Sequence, residues 1–454
     1  MAVGSAASVD LDRLEAEILE VGRGLAARMD AARRTPGRAI DDRAMALAGR
    51  DRELRAAMFR LVDVTPACRS LDDLGRHLAG LVEQVPERPP SIQAAMRAAH
   101  TKAGRIALGA AVAAGVRHMS HRFIAGVDAE GALGELERLW RRWIGFSADL
   151  LGEATVTAAE ADAYAARCTK TLERLAAGTA DWPPRELLER DSIGPLPRVN
   201  LSVKVSALTP VLRPEAPEVG ERDAARRLMP LLHRARDLGA HLHIDMESLD
   251  SRETTLELVG DLLADPELRD APSVGLVLQA YLRDSPEELG QILAWAEASE
   301  RRQPPVVRLV KGAYWDHESA EAAQRGWSVP VFTDKAECDG NFETLTRRLL
   351  DARPRVRVAV ASHNLRSIAH AIAYNRLAGG EDRDVELQVL LGLGDELAAA
   401  LAAEGHRVRV YSPLGELVAG MAYLVRRLLE NTSNESFLAQ QAQGAPVEEL
   451  LAAP

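Results

Sequence analysis

Cysteine is scarce. Cys68, Cys168 and Cys338 are the only three in 454 residues. They are widely spaced and odd in number, so they form neither a disulfide framework nor a zinc-binding spacing, and they fit a reducing compartment. Aromatic residues make up only 4% of the chain, which makes any tyrosine or tryptophan set among charges conspicuous. No apolar run reaches the roughly 18 residues needed to cross a bilayer. The first ten residues lack a basic region followed by an apolar core, so a secretory signal is not expected. Positive charge is in deficit: the net charge of −11 argues against a general nucleic-acid role. These absences place the chain in the cytoplasm, with at most peripheral membrane contact. With 47% hydrophobic and 27% charged residues, a large core is feasible in an ordinary soluble protein.

Two kinds of sequence follow one another. Residues from about 10 to 115 carry helical apolar spacing only, as in Leu14, Ile18, Leu19 and Val21 over Leu11–Met29, with similar patterns over 40–60 and 71–83. Pro86 to Pro90 breaks the run, and a further helix is expected from Ser91 to about Met119. From about residue 140, β-rich runs alternate with amphipathic helices. The runs are Phe146–Gly152, Val199–Ser206, His241–Asp245, Val274–Tyr281, Val306–Ala313, Val356–His363, Val385–Gly392 and Val408–Tyr411. Eight β-then-α units over about 300 residues predict an α/β fold, a (β/α)8 TIM-like barrel preceded by an all-helical N-terminal arm or domain. An open doubly wound sheet competes, but eight units and the lack of Gly-x-Gly-x-x-Gly after the first strand count against it. The first strand is the least distinct, with Arg122–Gly126 as an alternative or additional edge piece. The proline-rich connection from about Ala176 to Pro197 is expected to wrap the outside. The expected divisions are 1–118 (helical), 119–440 (barrel) and 441–454 (tail).

In such a barrel, chemistry sits at the C-terminal ends of the strands. Read in order, those ends offer Lys204, then Asp245 with Glu247, Gln279, Arg308 with Lys311, His363 with Asn364, Gln388 and Tyr411. Any one could be a satisfied polar residue of the barrel core. Seven strands converging on one rim are hard to explain as structure, because unpaired buried charge is costly. Lys204, Arg308, Lys311, Lys335, Arg426 and Arg427 outnumber Asp245 and Glu430, so a cationic cup is expected, suited to a phosphorylated cofactor, a carboxylate substrate or both. In the stretch Arg308–Trp315, Gly312 permits close backbone approach, and Tyr314 and Trp315 offer flat faces for a fused-ring ligand. Packing at a strand–helix corner is the alternative for that aromatic pair.

After the last strand, Tyr423, Arg426, Arg427 and Glu430 stand at i, i+3, i+4 and i+7 of a helix and share one face. Two adjacent guanidiniums can grip a small carboxylate; a solvated face with a Glu430–Arg426 pair is the plainer alternative. His241-Leu-His243 resembles the entry pair of barrel zinc hydrolases, with His363 and Lys311 to complete a site. Its position on the third strand, a last strand ending in Tyr-Ser-Pro, and the depth of His241 argue against a metal, and none is expected. A Schiff-base aldolase using Lys204 or Lys311 needs neither the aromatic pair nor the double arginine.

Six stretches together resemble proline dehydrogenase, in the form of the flavin-dependent domain of bifunctional proline utilization A. They are Leu201–Leu208, Ile244–Glu247, Leu278–Tyr281, Arg308–Asp316, Ser362–Asn364 and Tyr423–Asn431. The resemblance runs in order from about residue 120 to 440. It implies FAD as cofactor and oxidation of L-proline to Δ1-pyrroline-5-carboxylate, the first step of proline catabolism to glutamate, with hydride passing to flavin N5. It implies that Lys204, Arg426 and Arg427 grip the substrate carboxylate, that Asp245 orients Lys204, and that Tyr411, Tyr423, Tyr314 and Leu390 shape the ring pocket. It makes Lys204, Asp245, Tyr411, Arg426 and Arg427 the catalytic set. It assigns Asp245, Gln279, Arg308, Lys311, Gly312, Ala313, Trp315, Lys335, His363, Gln388 and Glu430 to the flavin. It further implies a quinone as electron acceptor and functional coupling to a glutamate-semialdehyde dehydrogenase, with no nucleic-acid partner.

Two departures stand out. The family often has a Gly-Glu pair where this chain reads Gly126-Val127, which puts a lid ion pair in doubt. A His-Gly-Met-Gly of relatives reads Leu391-Gly-Leu-Gly394 here, a tolerable apolar exchange.

Overall fold

The computed structural model describes residues 9–33, 60, 64–84, 93, 96–152, 155–416, 420, 423 and 445–454. Its centre is a closed barrel of eight strands in chain order: β1 (Ile144–Leu150), β2 (Asn200–Lys204), β3 (His241–Asp245), β4 (Ser273–Gln279), β5 (Val306–Val310), β6 (Arg357–Ala361), β7 (Val385–Leu390) and β8 (Arg407–Leu414). Every neighbouring pair is parallel, and β8 closes on β1 from Ile144↔Val408 to Leu150↔Leu414. All eight expected runs form strands.

Period-2 alternation divides the strand residues between two environments. Leu201, Val203, Leu242, Ile244, Val307, Leu309, Val358, Val360, Val408 and Val410 are buried in the main apolar core with the surrounding helices. The alternate positions hold Ser147, Asn200, Ser202, His243, Arg308, Glu386 and Arg409, which hydrogen-bond across the barrel interior. The interior is therefore a polar network, where barrels of this kind usually hold branched aliphatic layers.

The first barrel strand is Ile144–Leu150; of the Arg122–Gly126 stretch, Arg122 and Phe123 end a helix, and only Ala125 and Gly126 add an edge bridge to the end of β8. Ala125 N–H donates to Pro413 O at 2.8 Å, and Gly126 O accepts from Gly415 N–H at 2.9 Å. The connection before β2 departs from expectation. After the helices Ala158–Thr179 and Glu186–Glu189 it turns under the barrel, with a bridge between Arg190 and Pro195. Asp191 in that segment is 1% exposed and pairs with Arg357 at 2.8 Å and Arg407 at 3.4 Å. Two arginines at strand starts need a carboxylate beneath them, and this pulls the segment inward to seal the floor.

Helix Leu11–Arg33 packs Leu14, Ile18, Val21, Leu25 and Met29 into the main core. Arg366, on helix Leu365–Leu377, pairs with Glu15 and donates to Leu451 O, both at 2.8 Å. It thereby joins the N-terminal helix and the last described segment to the barrel wall. Helix Leu71–Glu83 falls where expected. Residues 93 and 96–98 are helical, as expected after Ser91, but the run breaks at 99–101, and a new helix, Lys102–Phe123, starts where Thr101 Oγ1 accepts from Gly104 N–H at 3.0 Å. The expected helix over 40–60 and the break at Pro86–Pro90 lie outside the described residues. A short helix, Val447–Leu450, stands in the expected tail.

Candidate active site

Five side chains from five strands meet at the C-terminal rim. Lys204 Nζ lies 2.5 Å from Asp149 Oδ1 and 3.6 Å from Asp245 Oδ2. Arg308 donates to Asp245 Oδ1 at 2.8 Å and reaches the hydroxyls of Ser202 and Ser147 below it. Tyr411 O–H donates to Asp245 Oδ2 at 2.7 Å, and its ring lies beside the Arg308 guanidinium, 5.3 Å away. Burial, with Asp149 and Asp245 nearby, pushes the Tyr411 phenol well above its ordinary range. It remains a hydrogen-bond donor through neutral pH.

The sequence assigned the orientation of Lys204 to Asp245. In the structure the nearer carboxylate is Asp149, and Asp245 bridges Lys204, Arg308 and Tyr411. Farther out, Lys311 and Lys335 share Asp339, with Lys335 Nζ at 2.6 Å from it. Burial pushes Lys311 down, and Asp339 beside it acts the other way. Among the described residues, four expected cations thus face three carboxylates. The cup is less cationic there than expected, because Asp149 and Asp339 were not counted. Arg426, Arg427 and Glu430 lie outside the described residues. Tyr423 is half-buried.

The remaining expected residues divide by depth. The Gln279 amide donates to Glu247 O at 2.9 Å, while its Oε1 and Arg308 Nε are buried without a partner among the described residues. His363 Nε2 accepts from Leu390 N–H at 3.0 Å, which places the proton of a neutral ring on Nδ1 and ties β6 to the end of β7. Trp315 is 43% exposed, with its indole N–H on Phe332 O at 2.9 Å, so its ring face is open beside Ala313. Tyr314 packs with Tyr281, Leu282 and Val331, as the corner-packing alternative requires. Gly312 has φ 137°, and an added Cβ would lie 2.4 Å from the Tyr281 ring, so glycine is required by the protein itself. Gln388 lies below the rim and donates to Glu386 at 2.6 Å inside the barrel.

The His241–His243 pair is internal. His241 Nε2 and His243 Nδ1 are 3.1 Å apart, and His241 Nδ1 is 2.8 Å from Ser273 Oγ. Both rings are buried, and burial pushes His241 down to about 3. Gly275 makes room for them, since a Cβ there would lie 2.1 Å from His243 Nδ1. The His363 nitrogen that could have joined them is held by Leu390 instead.

A closed parallel barrel with paired lysine, arginine, aspartate and tyrosine at its C-terminal rim defines a barrel enzyme of the (β/α)8 class. Residues 132–440 match the proline dehydrogenase family model, and residues 15–123 match the proline utilization A N-terminal domain. The chain belongs to the proline dehydrogenase family. It is 33% identical over 352 residues to the bifunctional protein PutA of Salmonella typhimurium, covering 75% of this chain and 25% of that protein. It is 31% identical over 328 residues to the proline dehydrogenase of Deinococcus radiodurans, covering 71% and 89%. Among solved structures, proline utilization A from Bdellovibrio bacteriovorus, inactivated by N-propargylglycine, matches with a TM-score of 0.88 and 34% identity, over 97% of this chain and 44% of that one. The chain therefore spans about a quarter of the length of the curated PutA proteins it matches. No helix among the described residues is long and apolar enough to cross a membrane.

Proposed function

We propose that the chain oxidises L-proline to Δ1-pyrroline-5-carboxylate with FAD as cofactor. The observation that carries this reading is the Asp149–Lys204–Asp245–Arg308–Tyr411 network at the rim of a proline dehydrogenase-family barrel. The residues present fit the cofactor. Gln279 Oε1 and Arg308 Nε are buried polar atoms with capacity to spare, and Trp315 offers an open ring face. Gln279, Arg308, Lys311, Ala313, Trp315, Lys335 and His363 would hold FAD, together with Glu430; Gly312 would contribute backbone, and Gln388 and Asp245 would support from beneath. Bound FAD would supply the two-electron acceptor for the hydride that leaves proline C5.

The chain's own residues do the rest. Lys204, with Arg426 and Arg427, binds the substrate carboxylate by charge-assisted hydrogen bonds. Asp149 and Asp245 hold the Lys204 ammonium in place. Tyr411, Tyr423, Tyr314 and Leu390 enclose the ring. Asp149 and Asp245 match Lys204 and Arg308, so the excess that disfavours prolinium comes from Arg426 and Arg427; the amine enters neutral, and its lone pair becomes the new C5=N bond as hydride leaves. The Gly-Glu pair sought at Gly126-Val127 has a better candidate in Gly152-Glu153, directly after β1; Glu153 lies outside the described residues. The division into a helical region over 1–118, a barrel over 119–440 and a tail is supported by two family matches that meet between residues 123 and 132. A quinone acceptor, coupling to a glutamate-semialdehyde dehydrogenase and a cytoplasmic location complete the reading, supported by the likeness to bifunctional relatives.

The test is a spectrum of the purified protein. A yellow preparation that bleaches anaerobically with L-proline, but not with L-valine, is expected. A colourless protein that does not take up FAD, or one reduced equally by both amino acids, overturns the reading.

A further inference from the structure

The barrel interior holds five cations and four carboxylates among the described residues: Lys204, Arg308, Arg357, Arg407 and Arg409 against Asp149, Asp191, Asp245 and Glu386. The imbalance is local. At the rim, Lys204 and Arg308 are matched by Asp149 and Asp245. At the floor, three arginines share Asp191 and Glu386. Arg357 takes Asp191 at 2.8 Å and adds Gln303 Oε1 and Pro195 O. Arg409 takes Glu386 at 2.8 Å and Phe146 O at 2.7 Å. Arg407 shares Asp191 Oδ2 with Arg357, at 3.4 Å, and faces the far oxygen of Glu386 at 3.9 Å. Its Nε has no hydrogen-bond partner among the described residues, although the side chain is 3% exposed.

A cavity of about 20 Å³ opens at this point, lined by Arg357, Arg407 and Arg409, by the carboxylate Glu386 that Arg409 occupies, and by His241 and His243, with others. That is room for one small solvent species and too little for sulfate or phosphate. The other groups facing it do not restore neutrality. His241 and His243 are neutral, and His243 Nε2 is itself without a partner. Asp384, just outside, is committed to Arg353 and Ser192 N–H. A water molecule would satisfy an N–H but leave the charge uncompensated in a sealed interior.

We propose that the floor cavity is a binding site for a single monovalent inorganic anion of chloride's size, held by Arg407 with Arg357 and Arg409. The ion completes the charge balance beneath the barrel and is a structural ligand, separate from the rim chemistry.

Two measurements on the full chain test this. Crystals soaked in sodium bromide are expected to show an anomalous peak in the cavity. Thermal melts at constant ionic strength are expected to rise by about 2–4 °C as sodium chloride or bromide replaces sodium gluconate, as for any ligand that binds only the folded state. Arg407→Gln, which removes the surplus charge, is expected to abolish that dependence. Absence of the bromide peak overturns the proposal. A peak without halide-dependent melting means an adventitious ion only and overturns it too. If Arg407→Gln fails to fold, the wild-type peak and melting series decide on their own.

Discussion

At one end of the barrel, Lys204 and Arg308 face Asp149 and Asp245; at the other, Arg357, Arg407 and Arg409 face Asp191 and Glu386. Both ends pair cations with carboxylates, two with two at the rim and three with two at the floor, and access differs as well. The side chains of Lys204 and Asp245 are each 11% exposed at the rim, above Arg308 at 5% and Asp149 at 2%, whereas Asp191 and Arg357 are 1% and 2% exposed beneath the Arg190–Pro195 segment. Charges at the rim stay within reach of a ligand. Charges at the floor are sealed, and their energy can go only into the fold. Removing one partner of such a sealed pair is costly because its neighbour keeps an uncompensated charge. At the rim the partly exposed members, Lys204 and Asp245, remain within reach of water or ligand.

That contrast makes opposite predictions for similar substitutions. The largest expected effect is on activity at the rim. Lys204→Met is expected to lower kcat/KM for proline by about 100-fold or more, the cost of a lost charge-assisted contact to a carboxylate. The melting temperature should fall less than for a floor substitution, because Asp245 keeps Arg308 and Tyr411 and only Asp149, 2% exposed, loses its cation. Steady-state kinetics beside a thermal melt checks both, and near-normal kcat/KM would remove Lys204 from the substrate site.

Next is the floor. Asp191→Ala leaves Arg357 and Arg407 without their shared carboxylate, and is expected to cost about 3–5 kcal/mol of stability. The kcat/KM of the protein that remains folded should be unchanged. Urea unfolding measures the first and kinetics per folded molecule the second. A fall in kcat/KM with stability preserved would break the division of labour.

A smaller effect follows from the buried imidazoles. Burial pushes His241 down to about 3, and His243 well below the ordinary histidine value. The folded chain keeps both neutral, whereas the unfolded chain takes up protons below about pH 6.5. Their contribution to stability is therefore present above that pH and is lost as pH falls toward 3, at most about 1.4 kcal/mol per pH unit for each ring. His370, also near 3, and His406, also lowered, act in the same direction. The comparison is therefore differential. Between pH 7 and 5, His243→Gln should lose about 2 kcal/mol less than the unsubstituted chain. Equal losses would mean that the pair titrates in the folded state.

The eight strands were legible because outward-facing valines, leucines and isoleucines alternate with polar residues at a period of two. The floor was not. Asp191 sits in a proline-rich connection, and its partners Arg357 and Arg407 lie 166 and 216 residues away, so nothing local marks it. Asp149 was missed for a different reason: the first strand was the least distinct, and the search of strand ends began at the second. Its signal existed, since Asp149 stands two residues after Ser147 and so shares its inward face. Asp339 could have been found four residues after Lys335, at the spacing of a helical ion pair. Gln388 shows what periodicity leaves out. It identifies the face of a strand but not the depth along the barrel, and Gln388 is held below the rim by Glu386.

The smallest expected effect comes from within the rim, where one carboxylate serves two cations. Asp339 pairs with Lys311, whose side chain is 26% exposed, and with Lys335, which is 49% exposed. Exposed helical pairs of the Lys335 kind contribute about 0.3–0.5 kcal/mol, so Lys335→Ala should barely move the melting temperature. If the rim binds an anionic cofactor, Lys335 acts on it as a solvated charge, and ions in solution screen such a charge within about 10 Å at 0.1 M salt. Lys335→Ala should then weaken FAD binding a few-fold at low salt, and the difference should vanish at high salt. Lys311→Met, at the more enclosed position, should weaken it more and keep its effect when salt is raised. Flavin dissociation constants for both variants at low and high ionic strength separate the two cases. A Lys335→Ala defect that persists in high salt would mean that this lysine holds the cofactor by a direct, desolvated contact and not by its solvated charge.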